Sequence, residues 1–359
     1  METAVKSRTG RNSKWDNLRC VLILAVVAGH FVNQFTDDSV MMRTIALFIY
    51  TWHMPLFIFV AGLMTKKWDR TRPFKWTRPV YFVLIGYVLK FLIYGIKVAF
   101  MKKPDFLWLY DTGLPWYMFA MAAFTVLAWL LRDVKPIVLM ACSVTLAFAA
   151  GYLPFIGSYL WLSRIIVFFP FYYLGYLTDP GMAAAVTGDR KLKILSAALL
   201  ILAAGICILK IRTIYPYIRL FTARNAYAFI NVEGCSGWTR MMCGLISLIL
   251  GAAVLCLAPE KPLGYATVIG QRTLQIYFWH RLILYVMMYS GLMGSLQELL
   301  SETGFTLVCL ILAAGLTLLL AQPVFEKPLN MIRGVQRQVI KQMETYSVKG
   351  HSASASTSS

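Results

Sequence analysis

Long apolar runs recur along this chain at short intervals, and they limit its possible folds more than any other feature. A helix that crosses a bilayer needs about 20 mostly apolar residues. Ten intervals qualify: roughly 17–36, 42–65, 80–100, 115–131, 136–152, 164–178, 194–210, 240–259, 273–291 and 304–325. The windows 44–65 and 303–325 contain no charged residue at all. Over 359 residues the chain is 59% hydrophobic and only 14% charged, against about 25% charged for a soluble domain. In lipid every backbone N–H and C=O must be satisfied within the segment, which favours helices. The expected fold class is therefore all-α: a polytopic transmembrane helical bundle of about ten spans.

The charge pattern sets an expected orientation. Ten spans put both ends of the chain on one side. With that side cytoplasmic, inner segments carry 23 basic residues, Arg19 included, and outer segments carry nine. Excess Lys and Arg in cytoplasmic loops is the usual bias, so the reading is N-in, C-in, in a plasma or inner membrane. The same bias accounts for the net charge of +19 without a nucleic acid, and leaves membrane lipid as the natural partner. Residues 1–14 read as a basic cytoplasmic segment, 15–329 as the transmembrane domain and 330–359 as a largely disordered cytoplasmic tail ending in "HSASASTSS". The basic start followed by apolar residues resembles a leader. However, the run continues through His30, Asn33 and Gln34, so a retained first helix is expected. One outer loop, 211–239, is long, aromatic and basic. Either it covers an external site or it lies in the interface as an aromatic belt. The seven cysteines show no CxxC spacing, and neither a disulfide framework nor a zinc site is expected.

Ionisable groups inside the spans carry the functional signal, because each costs about 2.5–3.5 kcal/mol on insertion scales. Arg19 and His30 are eleven residues apart. Eleven steps of 100° bring them to within about 20° of one another, with about 16 Å of rise between them. Arg19 then lies at the cytoplasmic edge and His30 near mid-membrane. His53, in "FIYTWHMPLFIFVAGL", is about 18 Å deep when counted from the cytoplasmic end of its span, and His30 is about 20 Å deep. Pro55 follows His53 and should kink the helix. In the ninth interval His280 and Arg281 are adjacent, about 12–14 Å in. Neighbours on a helix point about 100° apart, so both facing one pocket is geometrically awkward. Lys90 is hard to explain at its depth, whereas Lys97 has room to snorkel outward. Arg164 opens the sixth interval on the outer side. No carboxylate lies near His30 and His53 in the spans, so no metal is expected.

Several motifs, taken in order, resemble the acyltransferase 3 family of membrane-bound O-acyltransferases. "DNLRCVLILAVVAGH" is similar to that family's first helix, with Arg19 and His30 at its Arg-then-His spacing and Asp16 as the usual acidic lead. "HMPLFIFVAGL" resembles its second helix, with Ala61 at a position where Ser is common. "PWYMFAM" resembles a Leu-Trp-Tyr/Phe-Leu stretch, and "SRIIVFFPFYYLGYL" the branch related to fucose 4-O-acetylases. "QIYFWH" and "QPVFEKP" resemble late Tyr-x-x-His and Glu-Lys-Pro elements. The resemblance runs from about residue 14 to 329. Some family members carry a further helix and a fused hydrolase-like domain; neither is expected here.

The resemblance implies an acyl-CoA donor, usually acetyl-CoA, used from the cytoplasm, and a hydroxyl acceptor on a glycan or lipid-linked sugar of the cell envelope. His30 and His53 would be catalytic, with His30 as a general base. His53 would orient it, bind the acceptor or hold an acyl group. Arg19, Asp16 and Glu326 would serve the donor, with Arg19 and the basic loop 66–79 meeting phosphates. Glu326 would pair with Arg19 or Arg333. Arg164, His280 and Lys90 are the acceptor-side candidates. Two other classes remain. A transporter of an anionic or sugar substrate would use the same buried charges as a path, with flux independent of acyl-CoA. A non-catalytic sensor or scaffold would not need His30.

Overall fold

The computed structural model describes residues 12–65, 67, 73–230 and 232–356, with side chains to 345. Residues 66 and 68–72 lie outside this set, so part of the basic loop 66–79 falls outside the described residues. The described chain is helical throughout, and its one extended contact is an isolated antiparallel bridge between Tyr110 and Tyr159. In order the helices are α1 (Ser13–Val32), α2 (Val40–Tyr50), α3 (His53–Leu63), α4 (Thr77–Ala99), α5 (Trp116–Leu130), α6 (Pro136–Ala149), α7 (Leu162–Leu177) and α8 (Pro180–Val186). Then follow α9 (Arg190–Ile214), α10 (Ile218–Phe221), α11 (Gly237–Leu257), α12 (Tyr265–Gln271), α13 (Thr273–Tyr289), α14 (Leu292–Leu299), α15 (Glu302–Leu320) and α16 (Lys327–Ser356).

All ten intervals marked out by hydropathy contain helix. Six helical segments among the described residues are long and apolar enough to cross a membrane: Ser13–Val32, Val40–Leu63, Thr77–Ala99, Arg190–Phe221, Gly237–Leu257 and Glu302–Leu320. Trp116–Leu130, Pro136–Tyr152 and Leu162–Leu177 are apolar but shorter. Burial sorts the six. The apolar window of α1 is 72% inside the protein, that of Arg190–Phe221 only 17%. The first helix is thus the central post of the bundle, and α9 presents Leu209, Ile201 and Ile208 outward.

Local chemistry fixes the ends. Asn12 caps α1 by accepting from the Lys14 amide at 2.9 Å, and Ser39 caps α2 through Met42 at 3.0 Å. Such caps satisfy amides that have no partner within the helix. Glu302 at the head of α15 accepts from the Ser39 hydroxyl at 2.7 Å, tying that end of α15 to α2.

The second expected span is broken, though not at the proline. α2 ends at Tyr50 and α3 begins at His53, with Trp52 at φ −133°. Pro55 occupies the first turn of α3, where its missing N–H strands the carbonyl of Thr51. The break then falls upstream. The Ile49 carbonyl takes the His53 ring Nδ1–H at 2.8 Å, and the Thr51 hydroxyl donates to the Phe48 carbonyl at 2.6 Å.

Small residues bring the helices together, as is common where lipid offers no hydrophobic drive between them. At Gly62 of α3 an added Cβ would lie 2.0 Å from the Tyr172 carbonyl oxygen. At Gly175 of α7 it would lie 2.0 Å from the Phe59 carbonyl oxygen. α3 and α7 therefore meet backbone to backbone.

Two stretches are more helical than their composition suggests. The tail expected to be disordered over 330–359 is helical as far as Ser356, because Leu329, Ile332 and Gln336 bury one face of α16 on the bundle. The 211–239 loop is also shorter and more ordered than its composition suggested. α9 runs on to Ile214, α10 follows, and the segment folds back so that the Ala223 carbonyl accepts from the Ser163 hydroxyl at 2.8 Å.

Candidate functional site

The bundle has two ends. One carries Arg19, Arg78, Gln271 and Glu326; the other carries Asp111, Arg164 and Arg224. Between them all three membrane histidines gather in one cluster, His30 and His280 ring on ring and His53 across the Tyr50 ring.

His30 is near the end of α1, directly after Gly29. A Cβ at Gly29 would stand 3.3 Å from Ile49 and 3.4 Å from the Tyr50 ring, so α1 presses against α2 just before the histidine. From α13, the ring of His280 stacks on that of His30 with centroids 5.2 Å apart and 25° between planes. Arg281 reaches the same ring, with Nη1 3.3 Å from His30 Nδ1. The expected awkwardness of neighbouring side chains is resolved by their unequal reach: the imidazole lies over the ring, while the longer guanidinium comes round to its edge. Arg281 is held in turn by the Gln34 amide, which with its oxygen turned toward Arg281 accepts from Nη1 at 3.1 Å and Nη2 at 3.3 Å. Its guanidinium lies 4.7 Å from the Tyr285 ring centroid.

His53 joins the cluster from the head of α3, edge-on to Tyr50 at 4.9 Å. Below it, Tyr277 lies 5.9 Å from His280 and 5.4 Å from Tyr117, and its hydroxyl donates to the Leu114 carbonyl. From the Tyr117–Tyr277 pair a cavity of about 260 Å³ leads to the Arg19 end, passing Met54 and Met118 and reaching Arg19 and Arg78. Arg19 is ion-paired with Asp16, whose other oxygen accepts from Gln271 at 3.1 Å. A larger cavity of about 520 Å³, between α2, α9 and α11, is lined by Leu47, Ala203, Trp238 and Ile246 and opens away from the histidines. Its lining is largely apolar and holds no histidine, carboxylate or basic side chain, so size alone does not mark the site.

At the opposite end Arg164 pairs with Asp111 at 2.9 Å, donates through Nε to the Thr222 carbonyl at 3.1 Å, and lies 4.5 Å from the Trp116 ring centroid. Leu160, Trp161 and Ala223, in the segments around Arg164, all have left-handed backbones. Such non-glycine geometry costs on the order of 1–3 kcal/mol per residue and persists only where the surroundings enforce it.

The other candidates are placed as follows. Lys90 donates to the carbonyls of Leu107, Trp108 and Tyr110 at 2.6, 3.0 and 2.9 Å. An ammonium has three donors, and all three are used to tie down the segment between α4 and α5, so Lys90 is set apart from the acceptor contacts expected of it. Glu326 pairs with Arg333 at 3.3 Å and not with Arg19, away from the cavity. Groups of three or more potential metal ligands are absent among the described residues.

Gln34 and Asp111 were not singled out by sequence, and Tyr277 entered only as the tyrosine of the Tyr-x-x-His element. Gln34 had a signal, since it lies four residues beyond His30 and hence on the same face. Asp111 had none.

A helical, multi-pass membrane protein with a buried histidine cluster served by an arginine-gated cavity is the class that these features define. The chain matches the acyltransferase 3 family, described as an acyltransferase domain, over residues 12–322, and it belongs to that family. It is a membrane acyltransferase. No curated protein and no solved structure matches it.

Proposed function

We propose that the protein transfers an acyl group, acetyl in the simplest case, from acyl-CoA to a hydroxyl of a glycan or lipid-linked sugar of the cell envelope. The observation that carries this reading is the cavity running from Arg19 and Arg78 to Tyr117 and Tyr277, the latter 5.9 Å from His280; the space around the histidine cluster is then the reaction chamber. Coenzyme A carries phosphates at one end and its thioester at the other. Guanidinium groups suit the first, and a narrow passage lined by methionine and aromatic side chains suits the pantetheine arm. Asp16 acts through Arg19 by holding its guanidinium. The basic-residue bias makes the Arg19 end cytoplasmic, in an inner or plasma membrane. The acceptor then comes from the Asp111 end, past Arg164. The histidine cluster stands where the two substrates meet and supplies the proton transfer and the hydrogen bonding of the reaction.

The test is mass spectrometry of surface glycans from deletion and complemented cells. Complementation should restore one acetyl mass per modified site, and His30→Ala should not, while purified His30→Ala still binds CoA. Unchanged glycans on deletion, or substrate flux that ignores acyl-CoA, would sink the reading.

A further inference from the structure

The hydrogen bonds on the three membrane histidines fix which nitrogen of each carries the proton. From them we infer that His53, and not His30, is the general base, while His30 presents an N–H to the thioester carbonyl. This rests on the acyl-transfer reading above and assigns roles within it.

Arginine has five donors and no acceptor, and it stays protonated in proteins. Where Arg281 Nη1 meets His30 Nδ1 at 3.3 Å, the imidazole nitrogen must therefore offer its lone pair. A neutral imidazole has one proton, so that proton is on His30 Nε2. In this state the open nitrogen of His30 is a donor and cannot take up a hydroxyl proton. His53 is the reverse. Its Nδ1 lies 2.8 Å from the Ile49 carbonyl oxygen, and a carbonyl can only accept, so Nδ1 carries the proton and Nε2 is left as a lone pair. His280 has the same arrangement through Ile276 at 3.0 Å. Accessibility separates these two. His280 is fully enclosed, with Nε2 sealed and unpartnered, whereas His53 keeps 5% of its surface open.

The step balances without a further reactant. The acceptor hydroxyl gives its proton to His53 Nε2 as its oxygen bonds to the thioester carbon. Charge gathers on the carbonyl oxygen, which accepts from His30 Nε2–H. Collapse breaks the C–S bond, and the departing thiolate takes the proton from His53. His280, stacked on His30, is a positioning residue for the donor ring.

The experiment compares two nucleophiles with acetyl-CoA and purified protein: alkali-deacetylated surface glycan from the host, whose hydroxyls need a base, and hydroxylamine, which does not. His53→Gln keeps an amide donor for the Ile49 carbonyl but cannot accept a proton. It should lower transfer to glycan by about 100-fold or more and leave hydroxylamine-dependent thiol release within about threefold. His30→Ala should lower both by about 100-fold or more, and His30→Gln, which restores an N–H, should recover part of both. The assignment is overturned if His53→Gln loses both reactions equally while still binding CoA. It is equally overturned if His30→Ala spares hydroxylamine and loses only the glycan reaction. Wild-type protein inactive with both nucleophiles would instead refute acyl transfer itself.

Discussion

Arg281 Nη1 lies 3.3 Å from Nδ1 of His30, so a residue on the thirteenth helix sets the protonation pattern of one on the first. This contact joins two segments 251 positions apart in sequence, and it gives the chamber a fixed donor edge.

Removing that contact should be costly. Arg281→Ala frees His30 Nδ1, so nothing holds the proton on Nε2 and the donor to the carbonyl oxygen is lost. A fall of about 100-fold in kcat is expected, the scale of losing one oxyanion donor. Arg281→Lys should restore little, because an ammonium cannot span Gln34 and His30 as the planar fork does. Steady-state thiol release from acetyl-CoA measures both.

The donor end should behave differently. Arg19→Ala should weaken CoA binding by about tenfold or more, corresponding to roughly 1.5–3 kcal/mol for a hydrogen bond to a charged group, with kcat little changed. Asp16→Asn, acting only through Arg19, should show a smaller loss in the same direction. Equilibrium CoA binding, read beside kcat, separates this from damage to the chamber. A kcat effect without a binding effect would remove Arg19 from the donor site.

The sequence revealed the two ends of this path unequally. Eleven-residue spacing placed Arg19 and His30 on one face because helical periodicity is a property of a single segment. The approach of His280 and Arg281 to His30 depends on how α13 is rotated against α1, which no single segment encodes. Lys90 shows the opposite failure. Depth alone made it a substrate candidate, and the three carbonyls that absorb its donors come from a stretch with no periodicity to read. Asp111 lies in that same stretch, invisible until the chain folds it against Arg164. The break at Thr51–Trp52 was half legible: Pro55 announced a disruption, but the Thr51 hydroxyl and the His53 ring decided where it fell.

The Asp111–Arg164 pair gives a stability prediction. Asp111 is 1% and Arg164 11% exposed at the side chain. Asp111→Asn leaves a buried guanidinium uncompensated and should destabilise by about 3–5 kcal/mol. The double variant Asp111→Asn/Arg164→Met should be less destabilised than Asp111→Asn alone, since the orphaned charge is gone. Thermal unfolding in detergent tests the order, and equal midpoints would mean that the pair is not coupled.

The α3–α7 contact gives another. Gly62→Ala places a Cβ on the Tyr172 carbonyl, and overpacking of this kind costs about 1–3 kcal/mol. The expected result is a lowered unfolding temperature. Gly95→Ala, where an added Cβ meets nothing within 4 Å, should unfold at the wild-type temperature and serves as the control.

That glycine seam has a mechanical consequence. α3 begins with His53 and α7 opens with Arg164 in its first turn, and the two helices are locked backbone to backbone further along at Gly62 and Gly175. They are one stiff jaw. Any opening that admits an acceptor or releases a product must therefore come from the other jaw, where α13 leans on α1 through His280 and Arg281, or from the strap that Lys90 fastens between α4 and α5.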